Sequence, residues 1–293
     1  MAEHDSESGV AENGITRARM QARLEGLILD NRFTIAVVFP FVGAVTLVAS
    51  AEGLLPAPLA FNPLLILFGT LVMRSPLLVG IFPQLTRRAL AFVGVLLAYT
   101  YLIELVGVRT GWPYGTFEYA VQLGPMLFGE VPLALALFFV PLVCNAYLLT
   151  LLVLGSRADR AAVRLPLAIA CVVAIDVVLD PAAVAIGFWA FESGGFYGVP
   201  LSNYLGWVLS GTVAVVVVDL GFDREELASR AEECPFILDD LVSFVLLWGL
   251  VNVLYGNWLA VLVAVGFGLA LVRTGRFDRT LFVGETPVRF GPP

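Results

Sequence analysis

The sequence predicts an all-α polytopic membrane protein of about eight transmembrane helices, with the amino and carboxyl termini cytoplasmic. Three observations carry that expectation. Hydrophobic residues make up 59% of the 293 and charged residues only 14%, more apolar surface than a water-soluble chain of this size can bury. The apolar residues gather into eight runs, each close to the ~17–25 residues a bilayer span needs. The basic residues, all of them Arg, are shared unequally between the two sides of the weave those runs describe.

In chain order, residues 1–32 form a polar cytoplasmic lead, in which Met20, Leu24, Leu27 and Ile28 follow helical spacing. That spacing suits an amphipathic helix at the membrane interface. Residues 33–273 form the helical bundle and 274–293 a cytoplasmic tail. The first run, Phe33 to Ala51, ends in a signal-cleavage look-alike, but the long acidic lead before it is wrong for a secretory signal, so a retained helix is expected. The other runs are Leu59–Pro83, Ala89–Val108, Val131–Leu154, Leu165–Ala190, Tyr204–Leu220, Ile237–Leu254 and Trp258–Val272. Arg74-Ser75-Pro76 interrupts the second and predicts a kink or break there. With a cytoplasmic amino terminus, every Arg except Arg74 and Arg109 falls on the inside, as the positive-inside rule requires of eight spans. Two outer loops, 109–130 and 189–203, are long, aromatic and Gly/Pro-rich, and each closes on Val-Pro-Leu, which hints at a repeated helix–loop–helix unit.

Composition also excludes function classes. The chain is acidic, with a formal charge of −7, and carries no basic patch for nucleic acid. Without Lys it cannot hold a retinal Schiff base. Its single His is His4, in the polar lead, which leaves none for metal or acid–base work in the bundle. The acidic, Arg-only balance suggests a salt-adapted source. Cys144, Cys171 and Cys234 form no C-x-x-C pair; the first two sit in apolar runs and read as small hydrophobes.

DVVLDP, residues 176–181, is the exception to the hydrocarbon pattern. Asp176 and Asp180 are one helical turn apart and share a face. Each costs about 2.5–3.5 kcal/mol at a helix centre in lipid, so both must face the bundle interior or a wet cavity. Two carboxylates out of water cannot both ionise cheaply, and one is expected to stay protonated as a proton donor. A proton or ion path and a purely structural pair are the other readings these residues allow. Glu104, Asn145 and Asn203 add polarity to the outer half of the neighbouring spans, while Glu118, Glu130 and Glu192 lie in the outer loops. Asp219, Asp239 and Asp240 read as solvated helix ends, and Arg74 as a residue that snorkels or pairs with an acid. The outer-loop rings fit either an interfacial belt or a slot for a long apolar ligand.

The run E-x-x-G-x-x-T-G-x-P-Y-G-x-F-x-Y (Glu104 to Tyr119), L-D-P (179–181) and Y-G-V-P-L-S-N-Y-L-G-W (197–207) together resemble the CruF-type carotenoid 1,2-hydratases. The resemblance is close over roughly residues 90–210. It implies a multi-pass cell-membrane enzyme, a hydro-lyase that adds water to the terminal isoprenoid double bond of an acyclic carotenoid. In halophilic archaea, the substrate of such an enzyme is bisanhydrobacterioruberin and the product bacterioruberin. On that reading Asp176, Asp180 and Glu104 are the catalytic candidates. Trp112, Tyr114, Glu118, Asn145, Trp189, Tyr197, Asn203 and Trp207 are the substrate-binding ones. No metal and no cofactor is expected; the partners are the carotenoid, the lipid bilayer and other membrane enzymes of carotenoid synthesis.

Three rivals use the same residues. A proton-coupled or small-solute transporter needs polar groups reaching both membrane faces, whereas the polarity here is skewed outward. A carotenoid-binding protein without chemistry would tolerate loss of the acids. A carotenoid end-group cyclase shares the protonation step but captures the cation with an alkene instead of water.

Overall fold

The computed structural model describes residues 17–121, 123–277 and 281. The expected lead over 1–16, His4 included, and the expected tail at 278–280 and 282–293 lie outside the described residues. The described chain is mostly helical. Helix α1 runs over residues 17–30 and continues through a π-helical turn, Thr34–Val38, into α2, Phe39–Ala51. Then come α3 (Pro63–Ile81), α4 (Arg87–Thr110), α5 (Leu135–Leu154), α6 (Ala161–Ala185), α7 (Leu201–Gly221), α8 (Arg224–Glu233), α9 (Asp239–Leu254) and α10 (Trp258–Arg273). Among the described residues, six helical stretches are long and apolar enough to cross a membrane: Thr34–Ala51, Pro63–Gln84, Arg87–Thr110, Leu135–Asp159, Ala161–Ala185 and Leu201–Gly221. Helices α9 and α10 have 16 residues each, about 24 Å of helix against a hydrocarbon core of ~30 Å.

Helix α5 sits at the centre of the bundle, buried along most of its length. Helices α6 and α7 pack side by side, with α4 against α7 and α9 against α2, α3, α6 and α10. Helix α1 does more than lie on an interface: Gln21 donates to the Val79 carbonyl at 3.0 Å, Arg230 of α8 reaches Glu25 at 2.5 Å, and Ile28 is buried.

The prolines inside the spans do not break them. Pro76 has no N–H for the carbonyl of Val72, one turn back, and the Ser75 hydroxyl donates to that carbonyl at 2.6 Å. Helix α3 therefore runs through the predicted interruption. Pro141 frees the Leu137 carbonyl in the same way, and Arg74 Nε donates to it at 3.3 Å. The rest of the Arg74 guanidinium answers Asp240 (Nη1 to Oδ1, 2.5 Å), whose other oxygen accepts from Asn145 Nδ2 at 2.6 Å. Arg32 grips Asp239 at 2.7 and 2.8 Å. Asp239 and Asp240 are thus fully buried partners of Arg, a correction to their reading as solvated helix ends. Sequence position put them near a boundary, but two Arg from distant elements converge on them. Asp219 is likewise held, by Arg164 at 2.7 Å and by Tyr147.

The expectation of an all-helical chain also needs an addition. Helix α6 stops at Ala185, short of the apolar run's end at Ala190. Gly187 adopts φ +75°, and the Phe188 and Gly187 amides bond back to the Ala183 and Val184 carbonyls at 2.8 and 3.0 Å, a Schellman stop. Residues beyond it form β4 (Trp189–Phe191), antiparallel to β1 (Phe117–Tyr119), with Phe117 opposite Phe191 and Tyr119 opposite Trp189. A second ribbon pairs β2 (Met126–Leu127) with β3 (Val131–Pro132). Arg109 closes the first outer loop on Glu130 with two 2.9 Å bonds, which hold the Glu130 carboxyl below the usual carboxylate range.

Replacing Arg74 with Met leaves Asp240 buried without its cation, a loss of about 3–5 kcal/mol. Replacing Asp240 with Leu as well removes the orphaned charge. Thermal unfolding of the detergent-purified variants is expected to show the single variant melting well below the double; equal melting would contradict the pairing.

Candidate active site

Asp176 and Asp180 project from the inner face of α6 and are 0% and 4% exposed. Asn203, in the first turn of α7, puts one amide nitrogen on both: Nδ2 donates to Asp176 Oδ2 at 3.1 Å and to Asp180 Oδ2 at 2.5 Å. The two carboxyl groups are also within hydrogen-bonding reach of each other. Among the described residues no Arg forms an ion pair with either. Among the described residues no cation offsets two negative charges so placed, an arrangement that favours one shared proton over two ionised groups. Asp176 Oδ1 and the Tyr204 hydroxyl are buried without a hydrogen-bond partner. The Tyr204 side chain lies within electrostatic range of both aspartates. Buried polar atoms of this kind are usually satisfied by an ordered water.

Asp180 and Asn203 open onto a cavity of about 110 Å³. Glu104 of α4 lines the same cavity and accepts a hydrogen bond from Tyr119. Rings make up much of the wall. Trp207 stacks on Phe139 (centroids 5.4 Å apart, planes 21°), Tyr119 meets Trp189 edge-on at 6.5 Å, and Phe188 meets Trp248 at 6.1 Å. The β1–β4 ribbon forms one side. Its period-two alternation turns Phe117 and Tyr119 to the cavity and leaves Glu118 exposed.

Tyr114 is held by two missing side chains. A Cβ at Gly206 would come within 2.5 Å of its Cδ1, and one at Gly107 within 3.0 Å of its Cδ2. The ring therefore fits between α4 and α7, where its hydroxyl meets Ser210 Oγ at 2.7 Å; Tyr99 donates to the same Ser210 at 3.0 Å. Burial pushes the Tyr114 and Tyr119 phenols up from their ordinary range, so both stay protonated donors.

Of the residues singled out from sequence, Glu104, Tyr114, Asp180, Trp189, Asn203 and Trp207 meet around this cavity, with Asp176 behind Asp180. Four lie elsewhere. Trp112 is 58% exposed. Glu118 faces outward, Asn145 belongs to the Asp240 network, and the Tyr197 hydroxyl accepts from the Leu259 amide at 3.4 Å. Sequence reasoning counted Tyr119 and Tyr204 among the rings weighed as a belt or a slot, without assigning either a role, and passed over Ser210, Phe139 and Trp248, which look like ordinary span residues.

A family model described as "Carotenoid biosynthesis protein" matches residues 61–271. The chain is similar to the bisanhydrobacterioruberin hydratase of Haloarcula japonica, 60% identical over 263 residues that cover 90% of each chain. No solved structure matches.

Gly206→Ala is expected to dislodge the Tyr114 ring and cost about 1–3 kcal/mol, as overpacking of a closed core does. Gly266→Ala, where an added Cβ meets nothing within 4 Å, is the control. Melting temperatures should separate the two; equal values would mean that Tyr114 does not depend on the gap.

Proposed function

The chain belongs to the carotenoid biosynthesis protein family, and from that premise we propose that it is a carotenoid hydratase. It adds water to the terminal isoprenoid double bond of bisanhydrobacterioruberin, giving the tertiary alcohol of bacterioruberin. The observation that carries the reading is the buried aspartate pair opening, through Asp180, onto a ring-lined apolar cavity.

Asp180 is the proton donor, because it reaches the cavity while Asp176 stands behind it. Its carboxyl proton passes to the less substituted alkene carbon, and the π electrons form the new C–H bond. The tertiary carbocation left on the other carbon faces the rings of Trp189, Trp207 and Tyr119, whose electron-rich faces stabilise it. Water then forms the C–O bond. Tyr204 and the free Asp176 oxygen are suited to hold that water, and Glu104, oriented by Tyr119, takes its proton. Exchange through water returns the proton to the aspartates. The sum is one water added per end, with no electrons transferred. Asn203 is a positioning residue that keeps the two carboxyls together.

The same reading completes the topology as eight spans, α9 and α10 included, with both termini cytoplasmic. The confinement of nearly all Arg to the inner segments supports this. The enzyme would then work in the cell membrane, beside other membrane enzymes of carotenoid synthesis, with its cavity in the outer half.

Asp180→Asn is expected to abolish hydration and Asp176→Asn to reduce it by about 10²-fold or more, in line with loss of a general acid. The assay is pigment mass analysis after expression in a host that supplies the acyclic carotenoid. Unaltered protein should add one water mass per reacted end. A ring-closed isomer of unchanged mass would point to a cyclase, and full hydration by the double Asn variant would remove the pair from the chemistry.

A further inference from the structure

A second cavity, of about 400 Å³, lies between α2, α3 and α9. It shares a wall with the first: Phe138, Phe188 and Trp248 line both. The partition is therefore built of aromatic side chains, with Phe188 edge-on to Trp248 (6.1 Å, 77°) and Phe61 edge-on to Phe188 at 5.7 Å from the second side. Apart from the Arg74–Asp240 pair, whose charges cancel, the second cavity is lined mainly by Leu, Phe, Met and Val. Its size depends in part on a missing side chain. Gly69 faces it from α3, and a Cβ added there would meet nothing within 4 Å.

We propose that this cavity is the subsite for the chain of the same carotenoid, which continues past Phe188 and Trp248 once its end lies against Asp180. The inference rests on the hydratase reading above. A polyene of that length outruns a pocket shaped for its end group. Beyond the shared ring wall the second cavity is largely apolar, and the wall's rings can stack on conjugated double bonds. The β1–β4 ribbon lines the first cavity with Phe117, Tyr119, Trp189 and Phe191.

The test compares two substrates in lipid nanodiscs: the long acyclic carotenoid, and a short acyclic isoprenoid with the same terminal double bond. Gly69→Phe fills the second cavity from α3, and Met73→Trp, one turn along the same wall, fills it independently. Gly266→Phe, on the exposed surface of α10, controls for the added ring. Both filling variants are expected to raise KM for the carotenoid roughly tenfold or more. They should weaken its binding, read from the bound pigment's visible absorption, and leave turnover of the short substrate within about twofold of unaltered protein. Unchanged KM for the carotenoid, or equal loss on both substrates, overturns the subsite. Failure of the hydratase reading looks different: pigment binding would still respond to Gly69→Phe while unaltered protein hydrates neither substrate.

Discussion

Asp176 and Asp180 lie side by side in the bundle with one asparagine amide between them and no basic side chain to balance them. Among the described residues, every other carboxylate buried as deeply is answered by Arg: Asp239 by Arg32 and Asp240 by Arg74. The contrast separates two uses of buried acid. The Arg-paired aspartates tie distant helices together, whereas the unbalanced ones are, on the proposed reading, the proton donors. The scaffold around them follows from that need. Helix α6 supplies the i, i+4 face, α7 brings Asn203, and the 109–130 and 189–203 loops pair as a ribbon whose rings line the cavity.

The cavity joins two chemical environments within one wall. Asp180 and Asn203 face Glu104 and Tyr119, and rings fill the surface between them. On the proposed reading, the rings admit an apolar chain end, the acid protonates it, and the cation formed meets aromatic faces in place of bulk water. Protonated phenols at Tyr114 and Tyr119 can donate without adding charge, so only carboxyl groups exchange protons in the cycle described.

Much of this was legible from the sequence. The eight apolar runs all became helices, and DVVLDP marked the acid pair because four-residue spacing in a helix fixes a shared face. Less legible were features that depend on distant segments meeting. Asp239 and Asp240 looked like helix ends because their Arg partners are 207 and 166 residues away. Trp112 stands beside Tyr114 in the same motif, yet Tyr114 is drawn inward by the gaps at Gly107 and Gly206 while Trp112 stays outside. The strands were too short, at two or three residues, to register as periodic pattern.

The central claim is that the aspartate pair keeps a proton at neutral pH. Infrared spectroscopy of protein carrying carbon-13-labelled Asp, with its unlabelled counterpart as reference, tests it most directly. The account predicts a carboxylic-acid C=O stretch that moves on labelling and exchanges slowly in heavy water. Finding only ionised carboxylate bands from the labelled aspartates would contradict it.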